Sequence, residues 1–139
     1  MAITRTETQV TWSAANSVSV TTGSSQTSDE VNLDATCVAA QISMKADNST
    51  TPAADDQIYM WLIQTSGDPD GAATDEFDSL DASSMVLLGI LDTNAIDPVQ
   101  KTVPLPIPQK GLKIYAEGVT AGTTNAITVS ATITEQRAA

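Results

Sequence analysis

The 139-residue chain carries 17 acidic side chains against 6 basic ones, for a formal charge of -11, and it contains no histidine. That balance excludes nucleic-acid binding by phosphate neutralisation, because no basic patch exists to supply it. The missing histidine excludes Ser-His-Asp and Cys-His nucleophilic sites and His-ligated zinc or haem. A hydrophobic fraction of 41% and a mean hydropathy of -0.05 suit one globular domain.

In chain order, residues 1–8 are polar and read as an N-terminal arm. Residues 9–14 alternate, with Val10, Trp12 and Ala14 on one face, and residues 17–21 alternate again. A polar turn rich in small residues follows at 22–28, and Val31 and Leu33 mark a short strand. Residues 37–45 form the cleanest half-buried strand, with Val38, Ala40, Ile42 and Met44 inward and Gln41, Ser43 and Lys45 outward. Residues 46–56 are a loop by composition. Its Asn48-Ser49-Thr50 matches a glycosylation sequon, which carries little weight without a secretory signal.

A strand–loop–strand unit from Gln57 to Asp92 occupies the middle. Residues 57–64 and 85–91 are apolar on both faces, and side chains alternate across a strand, so both faces call for cover. Opposite Ile58, Met60 and Leu62 stand Tyr59 and Trp61, placed either on an interface or stacking platform, or under a neighbouring layer. The loop between the strands carries six carboxylates and no cation. Asp68, Asp70, Asp75, Glu76 and Asp78 are hard oxygen ligands suited to calcium, although their spacing departs from the helix–loop–helix calcium motif. The simpler reading, which we adopt, is a solvated tip with no metal.

After a turn at 92–98, Val103, Leu105 and Ile107 alternate with Pro104, Pro106 and Pro108. Proline cannot donate to a ladder, so this is an edge strand or an extended wrap. Residues 111–118 follow, with Leu112, Ile114 and Ala116 on one face. The last strand turns Ile127, Val129, Ala131 and Ile133 inward and Thr128, Ser130, Thr132 and Thr134 outward, leaving residues 136–139 as a tail. About eight short strands without an amphipathic helix predict an all-β fold, an antiparallel sandwich of jelly-roll type spanning 9–135.

Catalytic chemistry is thinly provided for. Cys37 is the only cysteine and sits in a strand context, where it reads as packing. Paired carboxylates remain, but without an aromatic-lined cleft, so we expect no enzyme, no catalytic residue and no cofactor. The opening residues hold no apolar run of signal-peptide length and no stretch approaches a membrane span, so synthesis in the cytoplasm is expected, without membrane or nucleic-acid partners.

Four phrases carry a resemblance: residues 9–17 (Gln-Val-Thr-Trp-Ser-Ala-Ala-Asn-Ser), 34–43 (Asp-Ala-Thr-Cys-Val-Ala-Ala-Gln-Ile-Ser), 62–71 (Leu-Ile-Gln-Thr-Ser-Gly-Asp-Pro-Asp-Gly) and 127–135 (Ile-Thr-Val-Ser-Ala-Thr-Ile-Thr-Glu). In texture they resemble capsid decoration, or cement, proteins of tailed bacteriophages. The resemblance implies a virion structural protein on the capsid exterior, bound to the major capsid protein as a homotrimer and stabilising the shell. It brings no active-site residues. Ile3 and Arg5 of the arm, Tyr59 and Trp61 of the central strand and Arg137 of the tail are the candidate interface residues. The alternative is a carbohydrate-binding or adhesive β-sandwich of a tail or fibre, stacking sugars on Trp61, Tyr59 or Trp12 with calcium in the acidic loop.

Overall fold

The computed structural model describes residues 2–21, 23–65, 77, 84–107, 111–119 and 125–138. Its ten strands are β1 (Ile3–Gln9), β2 (Val18–Val20), β3 (Ser25–Thr27), β4 (Val31–Asn32), β5 (Cys37–Asn48), β6 (Gln57–Thr65), β7 (Val86–Asp92), β8 (Val99–Pro104), β9 (Gly111–Gly118) and β10 (Ile127–Ala138). They form two antiparallel five-stranded sheets. The first runs β1-β10-β5-β8, with β2 continuing along the β1 side of β10, and the second runs β3-β9-β6-β7, with β4 continuing along the β3 side of β9. Ten strands therefore fill eight places. Apart from the β6–β7 hairpin, the chain changes sheet from one place to the next, which is the strand order of a jelly roll.

Alternation explains the core. Ile42, Met44 and Ala46 of β5 and Val129, Ala131 and Ile133 of β10 face Ile58, Met60 and Leu62 of β6 and Leu112, Ile114 and Ala116 of β9, and all are buried. The register between β5 and β10, with Ile42 opposite Ile133 and Met44 opposite Ala131, keeps both sets on the same side. Proline-bearing β8 is the edge of the first sheet, as its composition predicts.

Several details differ from the sequence reading. The polar segment 1–8 supplies β1, an edge strand whose inward positions Thr6 and Thr8 are half-buried hydroxyls and not aliphatics. The tail residues through Ala138 belong to β10. Val38 is 50% exposed, because the β5–β10 register shifts between Gln136 and Arg137 and the extra residue breaks the alternation. Trp12 is buried in the core and so removed from any sugar-stacking role, and its indole N–H has no acceptor among the described residues.

Ala14 is exposed, not inward, because residues 12–15 reverse the chain. Trp12 and Ala15 exchange backbone hydrogen bonds, and Ser13 and Ala14 take φ values of 48° and 67°. Such primed turns favour asparagine and glycine. Here the Asp29 carboxylate holds the strained backbone instead, accepting from Ser13 N at 3.2 Å, Ala14 N at 2.9 Å and the Thr11 hydroxyl at 2.7 Å. These bonds, that from Ala14 foremost, hold the Asp29 carboxyl below its ordinary pKa.

A second tight place is the end of β9. The turn after β2 lies across Gly118, whose N–H donates to Ser24 O at 2.8 Å, and a Cβ on Gly118 would run into the Thr21 carbonyl oxygen.

Two stability tests follow. Left-handed backbone costs an L-residue roughly 1–2 kcal/mol, part of which glycine returns through its freer unfolded chain, so Ala14→Gly should gain about 0.5–1 kcal/mol in urea unfolding. By contrast, Gly118→Ala should lose about 1–3 kcal/mol, as overpacking does. A neutral Gly118→Ala would show that the turn lifts off at no cost.

Candidate functional site

The register builds one corner of the first sheet's outer surface from four strands, β1, β10, β5 and β8. On β1, Ile3 stands opposite Ala138 of β10 and Arg5 opposite Gln136. On β5, Ala39 stands opposite Gln136, and Gln41 is flanked by Thr134 on one side and Pro104 of β8 on the other. The register shift next to this row leaves Val38 exposed beside it. Ile3 is 52% exposed and Val38 50%. Next to them lies an open depression of about 290 Å³ lined by residues that include Arg5, Ala39, Gln41, Pro104, Thr134 and Gln136. The corner thus combines exposed aliphatic groups with a guanidinium and two amides, and it contains no catalytic pairing.

The same corner is braced from beneath. Glu135, only 1% exposed, receives Arg137 Nη2 at 2.8 Å and Asp34 N at 2.9 Å, and a second Arg137 nitrogen, Nε, lies 3.3 Å away. Arg137 also approaches Asp34 at 3.8 Å. Asp34 caps its own turn, accepting from Thr36 N at 2.8 Å and the Thr36 hydroxyl at 2.6 Å, and Ala138 N donates to Thr36 O at 2.8 Å. Burial pushes the Glu135 carboxyl up, but the Arg137 hydrogen bonds, the Asp34 N–H and the nearby positive charge outweigh it and leave the group below its ordinary value. Burial also raises the half-buried Cys37 thiol, reinforced by the Glu135 charge, so it is a poor nucleophile at neutral pH.

Tyr59 and Trp61 lie across the sandwich, on the outer surface of the second sheet. There Thr27, Tyr115, Trp61 and Leu87 form one row across β3, β9, β6 and β7, and Ser25, Glu117, Tyr59 and Ile90 form the next. Trp61 Nε1 donates to Glu117 Oε1 at 3.3 Å. Ile63, on the same surface, is 1% exposed; its cross-strand neighbour Lys113 places Nζ 4.4 Å from the centroid of the Phe77 ring. Part of the second cover required by the apolar central strands thus comes from the chain itself. Leu87 at 45% stays open.

The five candidate interface residues therefore fall into three places. Ile3 and Arg5 share the first-sheet corner, Tyr59 and Trp61 share the opposite surface, and Arg137 turns inward as the brace of Glu135. Sequence reading missed Val38, hidden by the register shift, and Tyr115, whose signal was the face opposite Leu112, Ile114 and Ala116. The candidate calcium ligands Asp68, Asp70, Asp75, Glu76 and Asp78 lie outside the described residues. Among the described residues no three His, Cys, Asp or Glu side chains gather as metal ligands. Asn48 of the sequon is buried, its amide donating to Asp56 Oδ2 at 3.1 Å and Thr93 Oγ1 at 3.2 Å, so it is closed to glycan transfer.

Compared with known proteins, the chain matches no family model and no curated protein.

The brace makes a pH prediction. A carboxyl with a depressed folded pKa contributes stability that is present above its ordinary pKa and lost as pH falls through the depressed value. The acid limb of the stability curve should therefore flatten in Glu135→Gln. At neutral pH that variant should be about 2–3 kcal/mol less stable, short of the full cost of breaking a buried pair because Arg137 is part-solvated. Urea midpoints between pH 2 and 7 check it.

Proposed function

We propose that this chain is a non-enzymatic assembly protein of the capsid-decoration kind, which docks the first-sheet corner onto the outer surface of a phage shell. The observation that carries the reading is the convergence of Ile3 and Val38, each about half exposed, on an internally braced corner beside Ala39 and Ala138. Exposed apolar groups on an otherwise acidic chain favour a protein partner. Arg5, Gln41 and Gln136 around the depression supply donors for a polar rim. Bound across a joint between capsid subunits, each copy would bury a modest apolar area that must be re-exposed before the joint opens. Many copies would then raise the barrier to shell opening.

Purified chain should co-sediment with expanded shells of the major capsid protein encoded in the same genome and raise their melting temperature. Ile3→Asp and Val38→Asp should each weaken binding at least tenfold while leaving the circular dichroism unchanged. Absence of binding, or binding indifferent to both variants, overturns the proposal.

A second reading rests on the Tyr115–Trp61–Leu87 row, which with Tyr59 offers a stacking surface for sugars. On a glycan array with and without calcium, a signal lost in Trp61→Ala, combined with no shell binding, would put the carbohydrate reading in first place.

A further inference from the structure

The chain has five aromatic side chains, and three of them, Tyr59, Trp61 and Tyr115, gather on the outer surface of the second sheet. All three are half-buried, and so is Glu117, which stands opposite Tyr59 and diagonal to Trp61. Where β9 ends, an open depression of about 250 Å³ is lined by Tyr59, Glu117, Gly118 and Val119. The Trp61 indole N–H fixes one carboxylate oxygen of Glu117, and among the described residues no base pairs with that carboxylate. Asp92, further along the same surface, differs: Gln57 Nε2, Asn94 N and Ala95 N already occupy its oxygens. Lys113, the one base of β9, is seated over the Phe77 ring.

From this meeting of an uncompensated carboxylate with aromatic rings we infer that the depression receives an arginine side chain of another protein. The lining side chains set the chemistry. Glu117 accepts hydrogen bonds only, the Tyr59 hydroxyl can give or accept, and no lining amide or cation supplies further donors. The complement is a group rich in donors and without acceptors, and a guanidinium is such a group. A sugar, whose hydroxyl oxygens also call for donors, is matched less well. The rings add a second attraction, because the faces of Trp and Tyr draw cations within about 6 Å of their centroids. A planar guanidinium can stack on a ring and fork onto a carboxylate together, which a lysine ammonium cannot. The chain's own guanidinium groups lie across the sandwich on β1 and β10, where Arg5 stands 3.7 Å from Glu7 and Arg137 braces Glu135. The arginine therefore comes from a partner. This site is separate from the first-sheet corner and stands whether or not that corner docks; it gives the surface of the second reading a cationic ligand in place of a sugar.

The two indole N–H signals of the full chain read the site by NMR, since Trp61 donates to Glu117 while Trp12 is buried in the core. Titration with a capped Gly-Arg-Gly peptide should shift the Trp61 signal saturably and leave the Trp12 signal in place. The same peptide with citrulline, which keeps the shape and loses the charge, should bind at least tenfold more weakly, and with lysine at least threefold. Glu117→Gln should weaken arginine binding at least tenfold and Tyr59→Ala at least threefold, while Ile3→Asp leaves it unchanged. The Trp12 signal and circular dichroism keep loss of binding in either variant distinct from loss of fold. No saturable shift, citrulline or lysine equal to arginine, or binding indifferent to Glu117→Gln overturns the inference. Cellobiose saturating the Trp61 signal more tightly than the arginine peptide also overturns it and gives the surface to sugars.

Discussion

The ladder between β5 and β10 is the constraint on which the rest of the molecule depends. It joins two strands of twelve residues from opposite parts of the chain, and its register sends Ile42, Met44, Ala46, Val129, Ala131 and Ile133 to one side. A slip by one residue would turn all of them to solvent. β1, β2 and β8 then pair onto this central ladder, and β6 and β9 pack against its inner face. The same ladder contains the irregularity at Gln136 and Arg137 that leaves Val38 exposed. Core and candidate docking corner are thus two results of one pairing, and because its halves are some ninety residues apart, ladder formation should be the slow part of folding.

Alternation made much of this legible. The inward and outward sets of β9 and β10, the edge position of β8 and the shared face of Tyr59 and Trp61 all follow from period-two patterning and proline chemistry. What escaped has physical reasons. A β1 whose half-buried positions are threonines cannot be told by composition from a polar arm. The turn at Ser13 and Ala14 lacks the glycine or asparagine that announces such turns, because a carboxylate from Asp29 replaces that signal. Val38 obeys alternation until a bulge, which has no composition mark, interrupts it. The pairing of Arg137 was readable: Glu135 and Arg137 are two apart on one strand, hence on one face, and an opposite-charge pair there is open to inspection.

The acidic composition does structural work beyond keeping the chain soluble. Five aspartates accept backbone N–H groups at chain reversals or strand ends: Asp29 from Ser13 and Ala14, Asp34 from Thr36, Asp56 from Ala53, Asp92 from Asn94 and Ala95, and Asp97 from Asn48. Asp56 lies almost wholly inside, where it also receives the side-chain amides of Asn48 and Asn125. A chain poor in glycine thereby obtains its turns from side-chain acceptors, each of which satisfies donors that would otherwise lack a partner.

The pairing of Ile3 with Ala138 has an architectural corollary. Entry to and exit from the sandwich lie side by side on one corner, about 5 Å apart as directly opposed residues are. A domain with such adjoining ends can be spliced as a cassette into a loop of a host protein without prising the host apart. It can likewise be closed into a ring by a linker of a few residues and reopened at a distant turn such as 51–55. In either form any attached sequence emerges beside Ile3 and Val38, so the covalent neighbours of this domain and its candidate docking corner compete for the same space.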